Sequence, residues 1–83
     1  MPDDRAAQLA GALIHHVIYF NPKDHPGRFV VRRWFITRNG LAPETDPRAV
    51  ADTLLEARAT VPRGFIRIGR MPGDDPVIVE IWV

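Results

Sequence analysis

Three histidines are the residues of this sequence best suited to acid–base or metal chemistry. His15 and His16 are neighbours in an apolar segment, and His25 follows Asp24 in a segment rich in proline and glycine. Adjacent residues of a strand point to opposite faces, so His15 and His16 are not expected to bind one metal ion together. Because the chain has no cysteine and no helical His-x-x-x-His spacing, we expect core or surface histidines, with no metal and no cofactor.

A pair of carboxylates, Asp74 and Asp75, is the other candidate for chemistry. The pair lies between Pro72-Gly73 and Pro76, a setting typical of a turn in which aspartate side chains bond nearby backbone amides. The chain contains no serine, and its threonines and Tyr19 lie in no nucleophile-elbow or triad-like context. We therefore predict no catalytic residue, and an enzyme that uses His15 or His16 with Asp24 is the last of three functional interpretations.

Composition limits what kind of protein this is. With 83 residues there is room for a single domain, residues 1–83, and a hydrophobic fraction of 46% is enough for it to fold without a partner. The absence of cysteine excludes disulfides and thiolate chemistry. Two acids, Asp3 and Asp4, stand where a signal peptide carries positive charge, so we expect a cytoplasmic protein without a membrane segment.

The elements that position these residues follow from hydrophobic periodicity and from breakers. Residues 3–13 have the apolar spacing of a short helix or, alternatively, form a flexible segment. Residues 14–20 and 28–38 are rich in β-branched and aromatic side chains and indicate two strands of a hairpin, the second one ending at Asn39-Gly40. Asp46-Pro47 has the form of a helix start, which predicts a helix to about Ala59.

A second hairpin is predicted at the end of the chain, over residues 65–70 and 77–83 with a turn at 71–76. The expected fold is therefore α+β: a four-stranded, mainly antiparallel sheet in the order β-β-α-β-β, with one central helix and a short amino-terminal helix as an addition.

Side-chain alternation suggests which face of this sheet is the core. Val77, Val79, Ile81 and Val83 form one apolar row, which we expect against the central helix. One helix cannot cover both faces, so the other face is expected to display aromatic and charged residues together. These candidate binding residues are Arg32, Trp34, Arg67, Glu80 and Trp82.

Two interpretations of that second face remain open besides the enzyme. In the first, it is the contact surface of a non-catalytic domain that binds another protein or a second copy of itself, unless the amino-terminal helix folds over it. In the alternative, arginines and aromatics bind single-stranded nucleic acid. The net charge of only +1 argues against strong nucleic-acid binding, and pairing of Arg67 with Glu80 would neutralise part of the positive charge.

Residues 51–58 (ADTLLEAR), 61–64 (VPRG) and 70–82 (RMPGDDPVIVEIW) resemble short uncharacterised bacterial proteins from GC-rich genomes. The resemblance covers about the last two thirds of the chain. It implies no activity and no functional residues.

Overall fold

The computed structural model describes residues 13–83, which contain six strands and one short helix. The elements are β1 (Leu13–Phe20), β2 (Phe29–Thr37), β3 (Gly40–Pro43), β4 (Ala49–Ala51), α1 (Leu54–Ala59), β5 (Arg67–Gly69) and β6 (Ile78–Trp82). The helix predicted over residues 3–13 lies outside the described residues, apart from Leu13, which begins β1.

All strands belong to one antiparallel sheet in the order β3-β2-β1-β6-β5, and β4 also pairs with β2. With nine residues, β2 is long enough for β3 to pair with one half of its outer edge and β4 with the other half. The β1–β2 and β5–β6 hairpins confirm the predicted pairings. Gly40, with φ of 120°, begins β3 immediately after the predicted Asn39-Gly40 turn.

The predicted α+β fold, a four-stranded sheet with a central helix beginning at Asp46-Pro47, is wrong, because residues 13–83 are mostly β and form one six-stranded antiparallel sheet with one short helix. The backbone between β3 and β4 instead follows β2: the Glu44 amide donates to the Arg33 carbonyl at 2.9 Å, and the Arg48 amide donates to the Val31 carbonyl at 2.7 Å. Hydrogen bonds to a long neighbouring strand thus outweigh the local helix-start signal, as tertiary pairing often does over propensity.

The helix begins later and is only six residues long. Its cap is Thr53, whose hydroxyl accepts a hydrogen bond from the Glu56 amide at 3.1 Å and donates to the Glu56 carboxylate at 3.2 Å. This Thr-x-x-Glu pattern is a capping signal that stands plainly in the sequence. No helix within residues 13–83 is long and apolar enough to cross a membrane.

The packed core lies between α1 and one face of the sheet, which we call the helix face. Its buried residues are Ile18, Val31, Ala51 and Ala57. Residues paired across neighbouring strands share a face, so the strand register assigns every sheet residue either to the helix face or to the opposite side, which we call the open face.

Candidate functional site: the open face of the sheet

The open face is built from four rows of side chains that cross the strands. The strand register gives them as Leu41–Ile36–Leu13, Pro43–Trp34–His15, Arg32–Val17–Ile81–Ile68 and Val50–Val30–Tyr19–Ile78. Arg32 is the only member with a permanent charge. The surface is therefore apolar almost from edge to edge.

Apolar residues of this face are in contact with solvent. Leu41 is 66% exposed, Leu13 is 64% exposed, and Val50 and Ile68 are also exposed. The solvent side of an antiparallel sheet normally carries polar residues. Val17 and Val30 at the centre of the face are buried, so the exposed apolar area lies at its margins. Exposed apolar area of this kind is typical of a contact site.

Two adjacent depressions lie on the open face. The proline depression encloses about 420 Å³ and is bordered by Pro22 and Pro43, with Val30 in its floor. The isoleucine depression encloses about 440 Å³ and is bordered by three isoleucines, Ile36, Ile78 and Ile81. Tyr19 and Trp34 line both depressions, so this aromatic pair is the wall that they share.

The aromatic pair is held by one hydrogen bond. The indole N–H of Trp34 donates to the hydroxyl oxygen of Tyr19 at 2.9 Å. Burial raises the pKa of Tyr19 above its usual value of 10.0, while the bond from Trp34 and the nearby positive charge of Arg32 act in the opposite direction. Tyr19 therefore stays neutral and keeps its own O–H free to donate.

Arg32 lies at the margin of the proline depression, where its side chain forms hydrogen bonds to the backbone and to a carboxylate. Its Nη1 donates to the carbonyl oxygens of Thr45 at 2.9 Å and Glu44 at 3.3 Å, and its Nη2 donates to the Asp24 carboxylate at 3.0 Å. These bonds tie two loops together and neutralise the one permanent charge of the open face.

Ion pairs are concentrated on the helix face instead. Arg33 and Glu44 form a buried, two-pronged pair, in which Nε donates to Oε1 and Nη2 donates to Oε2 at 2.8 Å. The guanidinium also lies 5.3 Å from the centroid of the Phe35 ring. Hydrogen bonding from Arg33 lowers the pKa of Glu44 below its usual range despite the opposing effect of burial.

Glu80 is a second carboxylate that is held by arginine, and it connects α1 to the sheet. Arg58 of α1 donates to both of its oxygens, at 2.7 and 2.9 Å, and the indole N–H of Trp82 donates at 3.1 Å. Arg67 contributes a longer contact of 3.6 Å, the cross-strand pairing considered from the sequence. The bonds from Arg58 lower the pKa of Glu80.

The five residues predicted to share one binding face are divided between two faces. Arg32 and Trp34 lie on the open face, whereas Arg67, Glu80 and Trp82 belong to the helix face. The expectation that Ile81 faces the helix with the other odd-numbered residues of β6 is also wrong. Ile81 is paired with Val17 on the open face.

A local irregularity of β6 explains in part why the predicted faces of its residues are wrong. The register with β1 shifts between Ile18 and Tyr19, so Glu80 pairs with Ile18 but Ile78, two residues earlier, pairs with Tyr19. Both Ile78 and Ile81 consequently reach the open face, which strict alternation forbids. Leu13 and Tyr19 were not predicted as site residues, although their regular spacing along β1 was available as a signal.

The histidines do not converge. His15 lines the isoleucine depression, His16 is buried on the helix side with its ring 4.5 Å from that of Phe65, and His25 lies in a loop 3.8 Å from Asp24. Within residues 13–83 no three side chains of the types that bind metals form a cluster.

The chain matches no protein family, no curated protein and no solved structure at a significant level.

Proposed function

We propose that the protein is a non-catalytic interaction domain whose open face binds a protein surface. The observation that carries this proposal is the reversed polarity of the sheet. The face covered by α1 holds the ion pairs of Glu44 and Glu80, while the face that carries no helix among residues 13–83 holds the long apolar rows.

Burial of apolar area gives such a face its driving force. Each Å² of apolar surface removed from water contributes roughly 25 cal/mol, so covering the side chains of Leu13 and Leu41 favours association. The aromatic pair adds rigid contact area and a hydroxyl donor, and both features are common at the centres of protein interfaces. A cytoplasmic location, expected from the absence of cysteine, belongs to the same proposal.

Single-stranded nucleic-acid binding has less support from the contacts. Arg32 is bonded to a carboxylate and two carbonyls, Arg33 is buried against Glu44, and Arg67 lies on the helix face near Glu80. Phosphate binding requires arginines that are free on the surface beside the stacking aromatics.

A photoreactive amino acid at position 41, introduced in the cells that make the protein, tests the proposal. We expect a discrete protein adduct from position 41 and none from a matched control at Leu55, which is 76% exposed on α1. An adduct with nucleic acid, or no adduct at position 41, would contradict it. Binding of a fluorescent oligonucleotide that weakens steeply between about 50 and 500 mM salt would favour the alternative.

A further inference from the structure

We propose that the outer edge of β5 binds an acidic peptide in extended conformation, which pairs with β5 as an additional strand. Strand β5 is the last strand on its side of the sheet, in the order β3-β2-β1-β6-β5. All three of its residues are exposed, and among the strands of residues 13–83 it pairs only with β6. This inference goes beyond the proposed function, because it concerns the backbone of an edge strand and not the side chains of the open face.

Backbone groups at this edge are available for pairing. Ile66 and Val83 form two hydrogen bonds, since the amide of each donates to the carbonyl of the other, at 2.8 and 2.9 Å. Hydrogen-bonded and non-hydrogen-bonded pairs alternate along an antiparallel ladder. The amide and carbonyl groups of Arg67 and Gly69 therefore point away from β6, toward the outer edge. A row of such groups is the template to which an extended peptide adds.

The other edge of the sheet is less suited to strand addition. It is divided between β3 and β4, which pair with separate halves of β2. Strand β3 ends at Pro43, which has no amide hydrogen to donate. Residues 63–71 contain no proline, so the edge of β5 keeps all its donors.

Charge indicates the chemistry of the added strand. Arg63, Arg67 and Arg70 are exposed, and residues 63–70 contain no acid. Arg67 lies 3.6 Å from Glu80, but the oxygens of Glu80 are held more closely by Arg58, at 2.7 and 2.9 Å. Arg63 and Arg70 form no ion pair with any of residues 13–83. Opposite charges paired across neighbouring strands stabilise a sheet, so this edge favours carboxylates.

The pleat of β5 specifies where those carboxylates stand. Arg67 lies on the helix face, whereas Ile68 and, by alternation, Ile66 lie on the open face. Ile66 is 69% exposed, and Ile68 is also exposed. A peptide that alternates acidic and apolar residues places its carboxylates beside Arg67 and its apolar side chains beside the two isoleucines. The partner is therefore an extended segment with glutamate or aspartate at every second position.

Fluorescence anisotropy of a labelled peptide that alternates glutamate and valine over about six residues, an ordinary strand length, tests the inference on the full chain. We expect saturable binding, and a weakening by about tenfold or more when lysine replaces glutamate in the peptide. Gly69→Pro removes an outward amide hydrogen and leaves the bonds to β6, so it is expected to weaken binding by about tenfold. Gly69→Ala keeps this amide, and no atom lies within 4 Å of the added Cβ, so it is expected to bind like the wild type.

A charge exchange gives a second, independent variant. Arg67→Glu is expected to weaken binding of the glutamate peptide and to strengthen binding of the lysine peptide, by about tenfold each. Arg38→Glu is the matched control, because Arg38 is equally exposed but lies in the turn between β2 and β3, at the other edge. Circular dichroism of Gly69→Pro and Arg67→Glu is compared with that of the wild type, so that loss of folding is not taken for loss of binding.

No binding of the glutamate peptide, equal binding of the lysine peptide, or a folded Gly69→Pro protein that binds like Gly69→Ala would each overturn the inference. A short edge strand with a charged side chain also serves to keep other strands away, and absence of binding would assign β5 to that role. A wild-type dimer that Gly69→Pro converts to a monomer in light scattering would show that a second β5 occupies the edge instead.

These failures are distinguishable from failure of the proposed function. Position 41 lies in β3, at the opposite edge of the sheet from β5. A protein adduct at position 41 without peptide binding removes strand addition at β5 and leaves the contact surface of the open face in place.

Discussion

Arg33 and Glu44 make the most consequential contact at the scale of single residues. Both side chains are almost fully buried, and two parallel hydrogen bonds match the guanidinium to the carboxylate. The pair also joins β2 to the backbone that follows β3, where the Glu44 amide already donates to the Arg33 carbonyl. Loss of one partner leaves the other charge buried, which costs more than the pair contributes when complete.

Glu44→Gln is expected to lower the free energy of unfolding by about 3 kcal/mol, because the Arg33 charge then stays buried without a carboxylate. Urea unfolding followed by tryptophan fluorescence measures the change. The control is Asp52→Asn, which removes a carboxylate that lies 2.8 Å from Arg28 but is 72% exposed, and it is expected to have no measurable effect. Equal effects of the two variants would show that burial of the Arg33–Glu44 pair is unimportant.

Acid is expected to destabilise the fold through the same carboxylates. The pKa values of Glu44 and Glu80 are lowered in the folded protein, mainly by hydrogen bonds from Arg33 and Arg58, so the unfolded chain binds protons more readily. Their contribution is therefore complete above the usual pKa of 4.5 and is lost as the pH falls through the lowered values.

Unfolding free energies measured from pH 7 down to about pH 3 are expected to fall mostly below about pH 4.5. In Glu44→Gln this decrease is expected to be smaller, because one of the two groups no longer titrates. A curve with the same slope in both proteins would assign the acid sensitivity to other groups.

At the scale of elements, β2 organises the molecule. It pairs with β1 along its whole length on one edge and with both β3 and β4 on the other. This strand was the clearest one in the sequence, and its predicted bounds of 28–38 agree closely with Phe29–Thr37. Its outer edge determines the path of residues 40–51, which sequence analysis assigned to a loop and to the beginning of a helix.

Helix α1 depends strongly on its cap because it has only six residues, too few for a stable isolated helix. Thr53→Ala is expected to reduce the free energy of unfolding by about 1 kcal/mol, since the Glu56 amide loses its acceptor. Thr53→Ser is expected to restore most of it.

Urea unfolding of these variants, with Thr45→Ala as the control, provides the measurement. Thr45 is exposed and contributes its backbone carbonyl, which alanine retains, to the bond from Arg32. A loss from Thr45→Ala as large as that from Thr53→Ala would show that the cap has no special role.

At the scale of the whole molecule, the sheet separates two kinds of stabilisation. The helix face combines a small apolar core around Ile18 and Val31 with hydrogen-bonded ion pairs. The open face combines buried residues at its centre, Val17 and Val30, with exposed apolar side chains at its margins, such as Leu13 and Leu41. A partner that covered these margins only in the folded chain would shift the unfolding equilibrium toward the folded state.

The sequence by itself determined the local pairings: the β1–β2 hairpin, the turn at Asn39-Gly40 and the β5–β6 hairpin. Alternation of apolar residues and turn chemistry depend only on neighbours in the chain, so these features are readable without a structure. Tertiary structure alone decided that residues 49–51 form a strand and that Glu80 and Trp82 lie beneath α1 while Ile78 and Ile81 face outward. Those outcomes depend on the edge of β2 and on a register shift against β1, and both are set by hydrogen bonds between segments distant in sequence.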